Sequence, residues 1–180
     1  MKPILLIVCS LTFALFACKK DKKAPIDQLP AATQSGKNTF GCLINGQAFL
    51  PKGSFPFGNP NPVLLYDPTF ENGTLSIKAY RVDGSNHVDI VIGGTNIDKP
   101  GLYQIGTRGT DAKQFANVRD QRSGCNYYHS DDGTICSGTL KITKLAVAEK
   151  IIAGTFSFTI STPGCETWKV TDGRFDLRLY

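Results

Sequence analysis

The feature that most constrains the fold is a two-residue alternation of apolar and polar side chains, which recurs from residue 39 to the end of the chain. In "TLSIKAYR", Leu75, Ile77 and Ala79 fall on one side and Ser76, Lys78 and Tyr80 on the other. A period of two puts successive side chains on opposite faces of a β-strand, so the pattern predicts strands that bury one face. The 18 Gly and 10 Pro residues punctuate these segments as turn signals.

The same alternation predicts further strands along the chain. The segments that carry it are "TFGCLINGQAFL" (39–50), "HVDIVIGG" (87–94), "GLYQIG" (101–106), "TICSGTLKITKL" (134–145), "KIIAGTFSFTI" (150–160) and "WKVTDGRFDLRLY" (168–180). Asn45-Gly46 predicts a tight hairpin turn within the first of them. Gly154 predicts a bulge or a close backbone approach within its strand, and Asp172-Gly173 predicts a turn or a bulge before the last strand.

One segment departs from this pattern. In "DAKQFANVRDQ" (111–121), Phe115 and Val118 lie three residues apart, which predicts a helical turn. The remainder yields about 8–11 short strands with frequent turns. The sequence therefore predicts an all-β fold, an antiparallel β-sandwich, with an open β-barrel as the alternative. A single domain over 38–180, about 143 residues, is long enough for one sizeable core.

The first residues predict an export signal rather than a part of the fold. Lys2 precedes an uncharged, mostly apolar run over 4–17, which is too short for a spanning helix but typical of a secretory signal. The run ends in "LFAC" (15–18), which resembles the bacterial lipobox. That resemblance implies that 1–17 form a signal peptide and that Cys18 receives lipid such as palmitate. An ordinary signal peptide or an uncleaved anchor is the alternative.

The following residues, 18–37, predict a flexible tether. They are rich in Lys, Pro and small polar residues and too poor in apolar ones to form a core. Their lysines lie beside the predicted anchor, so we expect contact with acidic lipid headgroups rather than with nucleic acid. The net charge of +5 arises mainly here, because from residue 38 onward 14 Lys and Arg face 13 Asp and Glu. A nearly neutral domain gives no reason to expect a nucleic-acid partner.

Four cysteines remain in the predicted domain: Cys42, Cys125, Cys136 and Cys165. An even number in an exported domain predicts two disulfides. Cys125 and Cys136 are close in sequence across a turn, so we favour the pairs Cys125–Cys136 and Cys42–Cys165. Free buried thiols are the alternative. A four-Cys zinc site is disfavoured because the paired C-x-x-C spacing usual for such sites does not occur in the sequence.

Few residues of the domain suggest chemistry. His129, Asp131 and Asp132 in "CNYYHSDDGT" are weak candidates for metal ligands, because the same residues are ordinary turn formers. The sequence has no G-x-S-x-G motif and no Gly-rich phosphate loop ahead of a helix. We therefore expect no enzymatic activity and no cofactor. A hydrolase with a composite site stays open as an alternative.

Five aromatic residues fall in or near predicted loops and are candidates for ligand contact: Phe55, Phe57, Tyr127, Tyr128 and Trp168. Aromatic rings at the end of a sandwich can stack on sugars or peptides. Alternatively, the same rings close the end of the hydrophobic core.

Three stretches together resemble a family of uncharacterised Bacteroidota lipoproteins. They are "NTFGCLINGQAFLP" (38–51), "GTLKITKLAVAEKIIAGTFSFT" (138–159) and "VTDGRFDLRLY" (170–180). The resemblance implies a small exported β domain and no particular reaction. We expect a lipoprotein of the outer membrane, facing either leaflet, that acts as a non-catalytic binding or structural module. Its expected ligand is a glycan or another envelope protein, and docking to a larger envelope complex is the alternative.

Overall fold

The computed structural model describes residues 23–53 and 60–180. They form a short 3₁₀ turn (Pro25–Gln28) and the strands β1 (Thr39–Ile44), β2 (Gln47–Phe49), β3 (Val63–Asp67), β4 (Thr74–Asp83), β5 (Asn86–Gly94), β6 (Gly101–Gly106), β7 (Gln114–Asp120), β8 (Cys125–Tyr127), β9 (Ile135–Ala146), β10 (Ile151–Ser161) and β11 (Trp168–Arg178). Within these ranges, no helix has the length and apolar character needed to cross a membrane. The predicted signal peptide and Cys18 lie outside the described residues.

The strands form one sheet in the order β2-β1-β11-β10-β9-β6-β7-β5-β4-β3, with β8 paired to β7. Neighbouring strands are antiparallel except β6 and β7, which meet in parallel at Ile105 and Gln114. An isolated bridge pairs Lys52, which follows β2, with Arg81 on β4, and the sheet is not closed into a barrel. The predicted all-β class of a sandwich or open β fold is confirmed, with one parallel pair added to the antiparallel sheet.

One hydrophobic core holds the sheet together. Inward-facing residues from both halves of the strand order belong to it, such as Ile77 on β4 and Phe156 on β10. The sheet therefore folds over on itself, so that its inner face is covered by its own strands. The predicted inward faces are confirmed, because the following residues are buried: Leu75, Ile77, Ala79, Ile90, Ile92, Leu140, Ile142, Ile152, Phe156, Phe158, Ile160, Phe175 and Leu177.

The predicted backbone signals are also confirmed. Asn45 and Gly46 have φ angles of 48° and 79°, the left-handed pair that suits a two-residue turn between β1 and β2. Asp172, with φ 54°, lies where the pairing of β11 with both neighbours shifts, so it forms a bulge within that strand rather than before it. A Cβ atom on Gly154 would lie 2.3 Å from the Lys141 carbonyl oxygen, so only glycine fits there.

The predicted helical turn over 111–121 is wrong. Gln114–Asp120 form strand β7, which pairs along its length with β5. Val118 is buried in the core, whereas the Phe115 ring stacks on His129 with centroids 4.4 Å apart. Residues three apart on a strand face opposite sides, so the spacing of Phe115 and Val118 carries no helical meaning here. Pairing in the sheet outweighs the weak local pattern.

The second half of the predicted tether is packed against the domain. Leu29 is buried, and the Arg174 guanidinium of β11 donates a hydrogen bond to the Pro30 carbonyl. Farther along, the Arg178 guanidinium donates to the Gly36 carbonyl. The packed part of the chain therefore begins near Leu29 rather than at residue 38.

The buried carboxylate of Asp176 on β11 holds this segment in place. It accepts hydrogen bonds from the Thr33 hydroxyl at 2.5 Å and from the backbone N–H groups of Ser35 and Gly36 at 3.0 and 2.6 Å. Burial by itself raises the pKa of Asp176. These hydrogen bonds, together with one from the Lys37 N–H, outweigh burial and lower the pKa below its ordinary value.

We expect Asp176→Asn to lower the free energy of unfolding by about 2–3 kcal/mol near neutral pH, because an amide cannot offer two acceptor oxygens to these donors. A carboxyl with a lowered folded-state pKa stabilises the fold above its unfolded pKa, and this contribution is lost as the pH falls through the folded pKa. The difference between wild type and variant should therefore shrink in acid, which urea unfolding at several pH values measures.

The control for this experiment is Asp27→Asn, in the exposed start of the same segment. We expect it to leave the unfolding free energy unchanged at every pH. A deficit for Asp176→Asn that stays constant from neutral pH to strong acid would contradict the assigned role of the carboxylate.

Candidate functional site: a cleft at the end of the sheet

A cleft of about 340 Å³ opens at one end of the folded sheet. The β1–β2 hairpin, the turn between β7 and β8, and the loop that leads into β11 together form its walls. Its largely apolar floor includes Ile44, Ala48, Phe49, Val88, Tyr127 and Trp168. Its polar rim includes Gln47, Asp120, Arg122, Ser123 and Glu166. Small-molecule pockets commonly combine this size, an apolar floor and a few polar groups.

Three aromatic residues close the floor of the cleft. The exposed fractions of Phe49, Tyr127 and Trp168 are 4%, 1% and 6%, and the Tyr127 and Trp168 ring centroids lie 5.8 Å apart. The Tyr127 hydroxyl donates a hydrogen bond to the Glu166 carbonyl at 2.8 Å. Burial, and next the charge of Asp120, raise the pKa of Tyr127, so this hydroxyl stays protonated and remains a donor.

The Asn45 side chain ties the hairpin to the loop that leads into β11. Its Nδ2 donates to Glu166 Oε1 at 3.0 Å and to the Thr167 carbonyl at 3.2 Å. Its Oδ1 accepts from the Lys169 N–H at 2.8 Å. The residue that turns the hairpin thus also holds a carboxylate at the rim.

A buried acid fixes the third wall. Asp120 is the last residue of β7 and is 2% exposed. Its carboxylate accepts hydrogen bonds from the Arg122 N–H at 3.0 Å, the Ser123 hydroxyl at 2.9 Å and the Arg122 guanidinium at 3.3 Å. These contacts set the turn that follows β7 and leave most of the Arg122 side chain in solvent at the mouth of the cleft.

A disulfide between Cys125 and Cys165 braces the cleft, with Cα atoms 6.1 Å apart. It joins the start of β8 to the loop before β11, while Cys42 and Cys136 are free and buried. The predicted pairs Cys125–Cys136 and Cys42–Cys165 are therefore wrong. Cys42 on β1 and Cys136 on β9 face the core, away from the two loops that carry the bonded cysteines.

Two of the aromatic residues predicted to contact a ligand line the cleft. Tyr127 and Trp168 expose almost no ring surface, so they close the end of the core and offer no open stacking platform. Tyr128 is 37% exposed and borders a separate cavity. Phe55 and Phe57 lie outside the described residues.

The weak metal-ligand candidates lie apart from the cleft. His129, Asp131 and Asp132 border an exposed depression in the loop between β8 and β9. Nδ1 of His129 is 2.9 Å from the Asn117 Oδ1, and burial is the main cause that lowers the pKa of His129. Across 23–53 and 60–180, no three or more His, Cys, Asp or Glu residues cluster in a way that could hold a metal.

Sequence reasoning missed the polar residues that shape the cleft. Asn45 was predicted as a turn residue, but its contact with Glu166 joins positions 121 residues apart. Asp120 lay in the segment predicted to be helical. A period of two over that segment would have predicted Asp120 on the inner face together with Ala116 and Val118. A buried acid at the end of a strand is uncommon and therefore indicates a candidate functional site.

The fold and the cleft define this chain as an all-β protein with a pocket at the end of one folded sheet. The family model described as "Domain of unknown function (DUF6252)" matches residues 66–176. The chain therefore belongs to this family, and the predicted membership of an uncharacterised family is confirmed at that level. The matched region runs from β3 into β11 and leaves out the β1–β2 hairpin. No curated protein and no solved structure matches the chain.

We expect two thiols to react with a maleimide when the domain over residues 23–180 is unfolded without reductant, and none when it is native at neutral pH. Burial raises the pKa of Cys42 far above its usual range and that of Cys136 to about 11, so the reactive thiolate is scarce in the native state. Mass spectrometry counts the labels, and four labelled thiols would contradict the Cys125–Cys165 bond.

Removing the disulfide should also destabilise the domain. We expect Cys165→Ser to cost about 4 kcal/mol, the chain-entropy value for a loop of this length, because the bonded cysteines are 40 residues apart. Denaturant unfolding with and without reductant measures the cost. Reductant should destabilise the wild type and leave the variant unchanged, and equal effects on both proteins would argue against the bond.

Proposed function

We propose that this protein is a lipid-anchored, non-catalytic binding module of the cell envelope. The cleft at the end of the sheet is the observation that carries the proposal. It combines a buried apolar floor with a polar rim, and hydrogen bonds and a disulfide pin its three walls. A pocket whose walls are fixed in advance loses little conformational entropy when a ligand enters.

The rim favours a neutral or basic ligand over an acidic one. Two carboxylates, Asp120 and Glu166, lie at the cleft beside one guanidinium, that of Arg122. The floor buries its aromatic rings and leaves the side chains of Ala48 and Val88 partly exposed in the cleft. We infer that the occupant is a short amphipathic group of an envelope glycan or envelope protein.

Binding accounts for the cleft better than hydrolysis does. Both carboxylates already have structural partners, since Asp120 holds its own turn and Glu166 is held by Asn45. A glycosidase needs two carboxyl groups that are directed at the substrate bond. We therefore assign these two acids to shaping the cleft, and we propose no catalytic residue.

Export and anchoring rest on the N-terminal sequence. The apolar run over 4–17 and the lipobox-like "LFAC" support lipid attachment at Cys18. A disulfide in the folded domain fits an oxidising compartment outside the cytoplasm. We propose the outer membrane as the location, with the leaflet left to experiment.

Replacing Cys18 by Ala should release the protein from membranes, because the acyl chains would be lost. Fractionation of cells that express wild type or Cys18→Ala measures this, and Cys9→Ala, within the predicted signal, is the control that should stay membrane-bound. Retention of Cys18→Ala in the detergent-soluble membrane fraction would contradict the anchor.

The cleft is tested by filling it. We expect Ala48→Trp to weaken binding of any ligand found on a glycan or envelope-peptide array by at least about tenfold, because the indole would occupy the floor. Val147→Trp, in the exposed turn between β9 and β10, is the matched control and should bind normally. Binding that is unaffected by Ala48→Trp would place the ligand elsewhere.

A further inference from the structure

A second, smaller cavity lies on the outer face of the sheet, over β4, β5 and β7. Its volume is about 130 Å³. It is lined by Lys78, Asp89, Val91, Asn117, Arg119 and Tyr128, together with the backbone beside Val118. The cleft described above opens at the end of the inner face and shares none of these residues.

Among the described residues that line this cavity, Asp89 alone carries a carboxylate, and its side chain is 5% exposed. Its Oδ2 accepts from Arg119 Nε at 2.7 Å and also contacts Arg119 Nη2. Its Oδ1 lies 2.9 Å from His87 Nε2 and 3.9 Å from Lys78 Nζ. Both oxygens of the Asp89 carboxylate have partners, so the carboxylate cannot rotate freely. Asp89 therefore acts as a buried anchor that fixes the position of the Arg119 guanidinium.

An arginine has five N–H donors, and Asp89 contacts only Nε and Nη2 of Arg119. The Arg119 side chain is 37% exposed, so part of the guanidinium faces the cavity and solvent. A guanidinium whose position is fixed by one carboxylate can present its remaining N–H donors to an oxyanion, because its planar fork matches the geometry of carboxylate and phosphate groups.

The orientation of the Asn117 amide follows from its partners. Its Oδ1 lies 2.8 Å from the backbone nitrogen of His129 and 2.9 Å from His129 Nδ1. A backbone N–H can only donate, so the oxygen of Asn117 must face His129. The NH₂ group is then directed away from His129, and Asn117 adds donors rather than an acceptor to the cavity.

We propose that this cavity binds a single oxyanion group, a carboxylate or a phosphate carried by a ligand. Lys78, Arg119 and Asn117 supply donors, and Tyr128 adds a hydroxyl at the edge. The carboxylate of the lining, that of Asp89, is already engaged by Arg119 and His87. Two cations against one carboxylate give the lining a net positive charge, which favours an anion.

The size of the cavity supports this assignment. A cavity of about 130 Å³ has room for a small group such as one phosphate or one carboxylate. Because this site prefers anions and the cleft prefers neutral or basic groups, the two sites differ in both place and chemistry.

The test titrates inorganic phosphate, acetate and sulfate into the purified full-length protein at constant ionic strength, with isothermal calorimetry as the readout. The variant that matters most is Asn117→Asp, which keeps an acceptor for the His129 N–H but replaces the NH₂ donors by a negative charge. We expect it to weaken binding by roughly tenfold or more. Lys78→Gln should weaken binding by a smaller factor.

Arg81→Gln is the matched control, because Arg81 is 38% exposed on the same sheet and pairs with Asp83 outside the cavity. It should bind like the wild type. Saturable binding of one oxyanion that is lost in Asn117→Asp and kept in Arg81→Gln supports the site, and its preference distinguishes phosphate from carboxylate. Absence of saturable binding, or equal weakening in Asn117→Asp and Arg81→Gln, overturns the proposal. Ala48→Trp should leave oxyanion binding unchanged, so failure of this site and failure of the cleft can be told apart.

Discussion

The single sheet of this domain buries its inner face by folding over on itself, and the cleft follows from that constraint. The long strands β9, β10 and β11 lie in one half of the order and β4, β5 and β7 in the other, and their inner residues meet in one core. At one end of the fold the two halves separate, and short loops cover the core where the strands do not. The cleft lies there. Its loops are held together by a disulfide and by the hydrogen bonds of Asn45 and Asp120, where strand pairing has ended.

The cavity on the outer face has a different origin. This face remains in contact with solvent, so its polar residues can form clusters where small side chains leave room between larger ones. Val91 and Asn117 stand opposite each other on β5 and β7, and the cavity opens above this pair. Asp89 and Arg119 form the next pair on the same face of these two strands, so the register of the sheet brings the anchor and the guanidinium together.

The sequence predicted the inner face well because burial along a strand repeats every second residue. Ile77, Ile90 and Ile142 could be assigned to the core from alternation alone, and all three are buried. Disulfide pairing could not be derived in this way. Cys125 and Cys136 are near in sequence, yet Cys136 faces the core and Cys125 lies at a loop that is brought beside Cys165 only when distant strands pair. The cleft eluded prediction for the same reason, since Asn45 meets Glu166 only in the folded sheet.

If the protein is anchored at Cys18 as proposed, the docking of residues 29–37 on β11 limits how far the domain can stand from the membrane. For a lipid attached at Cys18, a chain that is free up to residue 37 could extend by roughly 70 Å, whereas a chain that is captured at Leu29 can extend by about 40 Å at most. The hydrogen bonds to the buried Asp176 carboxylate therefore limit the length of free chain between the lipid and the domain. They would keep the domain close to the lipid surface, so an envelope ligand would have to approach that surface to bind.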